Sequence, residues 1–253
     1  MIRMIVTDLD GTLLRTDKTV SAHTASVFQR CKERGIKIVF ATARPIRAVN
    51  TLHTGIEPDA VICHNGAVTL MGDVRFGSFG IEYETAAALL RATREIAGLR
   101  IAVESGDVIY ANFDVNTVWP DIEPGATFAD LPELPVDKIL FITAEASAIA
   151  AIERLFDDTL YWEIADSETL MVMDRRARKR NAVAALAEHF GIALSELAAF
   201  GDDNNDIEML RDCGIGVAVA NAIDPVKTAA DHICRSNDED GIAKWIEETI
   251  LDL

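Results

Sequence analysis

The stretch Arg3-Met4-Ile5-Val6-Thr7-Asp8-Leu9-Asp10-Gly11-Thr12-Leu13-Leu14 decides how the rest of the chain reads. Arg3 to Thr7 is a short run rich in β-formers, and two carboxylates spaced by one residue follow it directly. Gly11 lets the backbone bend closely behind them. Outward from this stretch, Ala22 to Arg34 has the apolar spacing of an amphipathic helix and Ile36 to Ala41 is a second β-rich run, so the three pieces form a βαβ unit. Gly35 ends the helix, and Pro45 opens the next one at its first turn, where a missing N–H costs nothing. A third buried strand, Ala60 to Cys63, runs into the turn signal His64-Asn65-Gly66 and a hairpin through Met71-Gly72-Asp73.

From about Glu84 the pattern changes. A helix over Thr85 to Ala97 precedes strands Arg100 to Glu104 and Val108 to Ala111. After the proline-rich stretch Pro120 to Pro135 come strand Lys138 to Thr143, helix Ser147 to Phe156, and strands Leu160 to Ala165 and Thr169 to Met173. The recurrence predicts a small α+β domain built from two similar units, although the copies share too few side chains to form a sequence repeat. Beyond Lys179 the alternation resumes: helix Ala182 to Phe190, strand Leu197 to Phe200, helix Asn204 to Arg211, strand Gly214 to Val219 and a last helix near Ile242 to Ile250. The expectation is an α/β protein whose first domain is split, residues 1–82 completed by 178–253 around an insertion at 83–177. A chain of 253 residues is long enough for such a core plus a second domain.

Composition narrows the function classes. Forty-one acids against twenty-four bases leave a formal charge of −17, which repels a nucleic-acid backbone, so no nucleic-acid partner is expected. The same field opposes any anionic metabolite, and a phosphate site here needs a cation and local basic groups to reverse the sign. No apolar run approaches the ~20 residues that cross a bilayer. The N-terminus lacks the basic start and long apolar stretch of a signal peptide, so the expectation is a cytoplasmic protein without membrane partners. Cys31, Cys63, Cys213 and Cys234 are widely separated and read as reduced, buried small hydrophobes.

In an open parallel sheet, ligands gather at the carboxyl ends of the strands. Four groups fall there: Asp8 with Asp10, Thr42, Lys179 at a helix start, and Gly201-Asp202-Asp203-Asn204-Asn205-Asp206. Each has an ordinary structural explanation by itself, as a turn, a helix cap or, for Arg175 to Arg180, a solvated basic face. Together they point to chemistry. Asp8, Asp10, Asp202 and Asp206 at one sheet edge repel one another unless a cation sits among them, and hard oxygen ligands with no His or Cys select Mg²⁺ over zinc. Thr42 donates a hydroxyl hydrogen bond to a phosphoryl oxygen and Lys179 supplies positive charge.

These same segments, Asp8-Leu9-Asp10-Gly11-Thr12-Leu13-Leu14, Ala41-Thr42-Ala43-Arg44, Lys179 and Gly201 to Leu210, resemble the four motifs of the haloacid dehalogenase superfamily in its Cof-type phosphatase branch. Cys63 to Ala67, Val219-Ala220-Asn221-Ala222 and Ser236 to Ile242 also resemble that branch, so the likeness spans nearly the whole chain. It implies a Rossmann-like three-layer core with a parallel sheet and a smaller inserted α/β cap. It makes Asp8 the nucleophile that forms an aspartyl-phosphate, and Asp10 the acid that protonates the leaving alkoxide and then activates water. It assigns Mg²⁺ to the Asp8 carboxylate, the Asp10 main-chain carbonyl and Asp202, with Asp206 supporting them. Thr42 and Lys179 grip phosphoryl oxygens, Asn205 orients phosphate or metal ligands, and Arg44, Asn65 and Gly66 join the substrate site. The branch usually places Gly directly after the lysine where this chain has Arg180, which leaves Arg178 and Arg180 as competitors for the role of Lys179.

The expected function is a Mg²⁺-dependent phosphomonoester hydrolase for a small phosphorylated metabolite such as a sugar phosphate. Phosphosugar mutases share the four motifs, and a binding protein without catalysis is the rival of a different class. Asp114, Asn116, Trp119, Arg44 and Arg47 are candidates for substrate choice, with Trp119 and Pro120 equally able to pack the cap. Both a monomer and a homodimer fit.

Overall fold

The computed structural model describes residues 1–119, 125–165 and 168–252. Two compact units divide the chain, one made of Met1–Gly77 with Arg178–Leu253, the other of Ser78–Ala177. In chain order the first unit begins with β1 (Met4–Thr7), α1 (Ala22–Glu33), β2 (Lys37–Ala41), α2 (Ile46–Asn50), β3 (Ala60–Cys63), β4 (Val68–Met71) and β5 (Val74–Ser78). The second unit holds α3 (Tyr83–Thr93), β6 (Arg100–Ser105), β7 (Val108–Ala111), β8 (Lys138–Ile142), α4 (Ala146–Glu153), β9 (Leu160–Ala165) and β10 (Thr169–Asp174). The first unit resumes with α5 (Lys179–His189), β11 (Leu197–Gly201), α6 (Ile207–Asp212), β12 (Ile215–Ala218), α7 (Asp224–Ala229), β13 (His232–Ile233) and α8 (Gly241–Ile246).

The first unit's sheet runs β13-β12-β11-β1-β2-β3-β4-β5. Pairings from β13 through β3 are parallel, and β4 returns antiparallel to β3. Every residue of β1 is fully buried, as expected of a central strand covered on both faces, which is why it reads as an unbroken apolar run. α1 packs with α8, while α5 packs with α6 and α6 with α7, giving the sheet its two helical layers. α1 shows how sequence makes such a layer: Ser21 caps it by accepting from the Thr24 amide, and Thr24, Val27, Phe28 and Cys31 are buried on one face. From β1 the chain steps outward to β2 and β3, whereas β11, β12 and β13 continue on the other side of β1. The crevice between the ends of β1 and β11 is therefore the point where strand order reverses, and the fold offers a ligand site there.

The second unit is an antiparallel sheet in the order β7-β6-β8-β10-β9. Side chains alternate strictly. Ile101, Val103, Ile139, Phe141, Leu170 and Val172 pack with Ala86, Leu89 and Ile152 of the helices, while Ala102 and Leu140 turn to the opposite face with Val115, Phe113, Trp119 and Met171. The helix-plus-hairpin pieces α3-β6-β7 and α4-β9-β10 recur as the sequence suggested, with β8 between β6 and β10. Ile81 pairs with Val136 and belongs to this unit's core, which draws residues 78–82 into it although the sequence pattern had put its start at residue 83. Trp119 packs against Phe113, and Pro120 lies outside the described residues.

Several elements differ from their sequence reading. α5 starts at Lys179, ahead of the expected Ala182, because polar Lys179-Arg180-Asn181 hides the helical period. The expected helix from Asn204 opens as a tight 3₁₀ turn, Asn204–Asp206, before α6. The last helix passes into a π turn at Glu247–Leu251. α7 and β13 were unexpected, being six and two residues long and too short for periodicity to register. All four cysteines are buried. Among the described residues no helix is long and apolar enough to cross a membrane.

Candidate active site

Asp8 leaves the end of β1 and its amide donates to Phe200 O of β11 at 3.0 Å, so the strand that carries it is laced to the strand that delivers Asp202. Gly201 and Gly11 make the approach possible. A Cβ on Gly201 would occupy the Asp206 side chain, and one on Gly11, at φ +77°, would occupy the Asp202 carboxylate. Thr12 Oγ1 donates to Asp202 Oδ1 at 2.5 Å. The result is that Asp8, Asp202 and Asp206 can each offer a carboxylate oxygen within 4.8 Å of the others.

Lys179, fully buried at the start of α5, is the cation of this cluster. Its ammonium donates to Asp8 Oδ1 at 2.6 Å and to Asp206 Oδ1 at 2.7 Å. Arg178 and Arg180 turn elsewhere, to Glu208 and Asp212. Asp206 is occupied on both oxygens, because Oδ2 accepts from the amides of Asp202 at 3.0 Å and Asp203 at 3.2 Å. It braces the 202–206 loop and aims Lys179. With all three carboxylates ionised, one ammonium would leave two negative charges in a largely buried place, so protons or a cation are favoured there. Burial, opposed by Lys179 and reinforced by Asp206 and Asp202, pushes Asp8 from 3.8 up to about 8. Burial also lifts Asp202 to about 6, against the Thr12 hydrogen bond and with the help of Asp206. Lys179 is held well above the usual lysine range: burial works against its charge, and Asp206 and Asp8 outweigh it. An all-oxygen donor set with this charge deficit fits a hard divalent cation.

Asp10 stands apart from that cluster. Its side chain is 38% exposed. Arg44 grips it with two donors, Nε to Oδ2 at 2.5 Å and Nη2 to Oδ1 at 2.7 Å, and Lys18 Nζ donates to Oδ1 at 2.7 Å. Burial works to raise this carboxyl, but Arg44 and Lys18 overcome it and hold it at about 2. Lys18 escaped the sequence reading, since a lysine in a polar turn carries no signal of a partner eight residues away.

The remaining predicted residues gather on one side. Thr42, buried past the end of β2, accepts from the Arg44 amide at 3.1 Å through Oγ1. Its carbonyl accepts from the Asn65 amide, and Arg44 O from the His64 amide, each at 3.0 Å. His64, Asn65 and Gly66 all have positive φ. At Gly66, φ +111°, a Cβ would meet Arg178 O at 2.5 Å, so only glycine lets this turn lie against the backbone that introduces Lys179. Asn205 Nδ2 donates to Asn65 Oδ1 at 2.9 Å, joining the turn to the 202–206 loop. Asn221 and Asn237 add support that sequence alone did not reveal: Asn221 Nδ2 donates to Gly11 O at 2.7 Å and Asn237 Nδ2 to Leu14 O at 2.9 Å. Asp114 caps a turn through the Asn116 amide within the second unit.

A parallel sheet with a reversal point, and an aspartate cluster with a buried lysine at that point, make a candidate active site of a doubly wound α/β fold. The chain belongs to the haloacid dehalogenase-like hydrolases, whose family profile matches residues 5–246. It is 31% identical to YxeH of Bacillus subtilis (strain 168) over an alignment of 277 positions, covering 99% of each chain. It is 27% identical to the 5-amino-6-(5-phospho-D-ribitylamino)uracil phosphatase YitU of the same organism, covering 97% of this chain and 96% of the relative. Among solved structures it is similar to BT1666 from Bacteroides thetaiotaomicron, described among phosphatases of the superfamily, with TM-score 0.85, 25% identity and coverage of 98% and 95% of the two chains. The superfamily resemblance, the α/β fold and the expectation of an enzyme of the phosphatase class all stand.

Proposed function

We propose that the protein is a Mg²⁺-dependent phosphomonoester hydrolase that passes the phosphoryl group of a small metabolite through Asp8 to water. The observation that carries this reading is the junction of Asp8, Lys179, Asp206 and Asp202 at the strand-order reversal, with Asp10 two residues from Asp8. The Asp8 and Asp202 carboxylates and the Asp10 carbonyl would hold the metal, which when bound offsets the negative charge of carboxylates and phosphoryl group. An Asp8 oxygen attacks phosphorus; the bond from phosphorus to the ester oxygen breaks, and that oxygen takes the proton that Asp10 carries once the negative charge of the bound phosphoryl group offsets the pull of Arg44 and Lys18 on its carboxyl. In the second half a water oxygen attacks phosphorus, its proton passes to Asp10, and the bond to Asp8 breaks, releasing phosphate and restoring both carboxyl groups. Lys179 orients Asp8 and balances its charge; the Thr42 hydroxyl and the Asn205 amide bind phosphoryl oxygens. A substrate class of phosphorylated small molecules is supported by YitU, whose substrate is one.

The test is a panel of sugar phosphates, phosphorylated cofactors and nucleotides assayed with Mg²⁺ and with chelator, scoring phosphate release and transfer to a second sugar separately. Release that depends on Mg²⁺, with capture of a phosphorylated Asp8 peptide by acid quench and mass spectrometry, is expected. Turnover unaffected by chelator, or transfer without release, would sink the hydrolase reading.

A further inference from the structure

We propose that Lys18 is a positioning residue for Asp10, and that the late acidic segment 236–241 exists to hold it there; this rests on the phosphatase reading above. The argument is geometric. A carboxylate oxygen has two in-plane acceptor positions. Among the described residues, Asp10 Oδ1 has both filled, by Arg44 Nη2 and Lys18 Nζ, each at 2.7 Å, while Oδ2 receives only Arg44 Nε. One acceptor position is therefore left on the carboxylate, and it lies on Oδ2. Lys18 makes Asp10 one-sided: the proton given to the ester oxygen as its bond to phosphorus breaks, and the proton later taken from water, both use Oδ2.

Two independent features show that the placement of Lys18 is built. Its backbone sits at φ +65°, a region that side-chain-bearing residues avoid and that persists only where surroundings impose it. The turn that imposes it is closed by Arg15 N to Thr19 O and Lys18 N to Arg15 O, both 2.9 Å. That turn is then pinned by a segment more than two hundred residues away in sequence. Asp238 accepts from the amide of Thr16 at 2.8 Å and its hydroxyl at 2.7 Å, and Asp240 accepts from Arg15 Nη2 at 2.8 Å. Asp240 is itself left-handed, at φ +57°, and Asn237 ties the same segment to Leu14 O. The same segment also reaches the site loop through Asn221, whose Oδ1 accepts from the Asn237 amide at 3.1 Å.

The experiment compares wild type with Lys18→Met, Lys18→Arg and Lys18→Gly in Mg²⁺, measuring kcat/KM on p-nitrophenyl phosphate, whose leaving group needs no proton, and on an alkyl phosphate, whose leaving group does. Lys18→Met is expected to lose about ten-fold on the alkyl ester and no more than about two-fold on the nitrophenyl ester, with Lys18→Arg restoring the alkyl rate. Lys18→Gly relieves the left-handed backbone and should keep or raise the melting temperature while showing the kinetics of Lys18→Met. Equal losses on both esters, no loss on either, or wild-type kinetics in Lys18→Gly overturn the proposal. Asp10→Asn runs alongside: if it leaves the alkyl ester unaffected, the acid role of Asp10 has failed, and the fault lies with the phosphatase reading and not with Lys18 alone.

Discussion

Asp8 and Asp10 are the same residue type two positions apart on one loop, yet they occupy opposite surroundings. Asp8 is buried, shares one ammonium with Asp206, lies beside Asp202, and is pushed up to about 8. Asp10 is partly exposed, has two cations to itself, and is held at about 2. The bend at Gly11 turns the chain beneath Asp202, so one carboxylate stays in the crevice of the sheet and the other meets solvent with Arg44 and Lys18. What separates them is partner count and water. A nucleophile that must be held still is surrounded by protein, and a group that must exchange protons keeps an open edge. The deficit of cations at Asp8 and the surplus at Asp10 also give each a different demand: the first calls for a metal, and the second for a bound anion to loosen its cations.

The strongest way to break the comparison is to remove the buried partner of the pair. Asp8→Asn keeps the shape and deletes the nucleophile, so Mg²⁺-dependent hydrolysis of an aryl phosphate should fall by ~10⁴-fold or more with the fold intact by circular dichroism. Retention of wild-type turnover would take Asp8 out of the mechanism. Next in size is Lys179→Met, which leaves Asp8 and Asp206 buried without their cation. Breaking a buried pair costs about 3–5 kcal/mol, which for a chain of this size lowers the melting temperature by roughly 6–20 °C, and activity should fall with it. A melting temperature unchanged in chelator would mean that Lys179 does not carry the charge balance of the cluster.

Much of this was legible in the sequence, and the limits have physical causes. β1 could be read because a strand buried on both faces is an unbroken apolar run, and the split of the first unit followed from the change of pattern near Glu84 and its reversal after Lys179. Asp8, Asp202 and Lys179 could be placed at strand ends and a helix start by the same pattern. Lys18, Asn221 and Asn237 could not, because their roles arise from contacts across loops, and loops have no period. The positive φ of Lys18 has no composition signal at all, since the turn would ordinarily prefer Gly or Asn there. Asp206 was expected to support the metal set, and both its oxygens turn out to serve Lys179 and the loop amides.

Removing the exposed partner sharpens the comparison from the other side. Asp10→Asn should reduce hydrolysis on the order of 100-fold while leaving the melting temperature within a few degrees, because an exposed carboxylate contributes less to stability than a buried one. A loss below a few-fold would argue that another group handles the proton. The gentlest probe uses pH and changes no residue. Asp8 and Asp202 bind protons more tightly folded than unfolded, so between 3.8 and about 8 the folded state holds more protons and metal-free stability falls as pH rises. Below 3.8 both states are protonated and the penalty is absent; above about 8 it is complete. Asp10 has the opposite sign, with its contribution present above 3.8 and lost as pH falls through about 2, so it leaves the window between 4 and 8 to the buried pair. In chelator the melting temperature should therefore decline across that window, by at most about 3–5 °C per pH unit for each titrating group. Saturating Mg²⁺, which binds the deprotonated carboxylates, should flatten or reverse the slope, and a chelated protein that grows more stable from pH 4 to 8 would place the charge deficit somewhere other than Asp8.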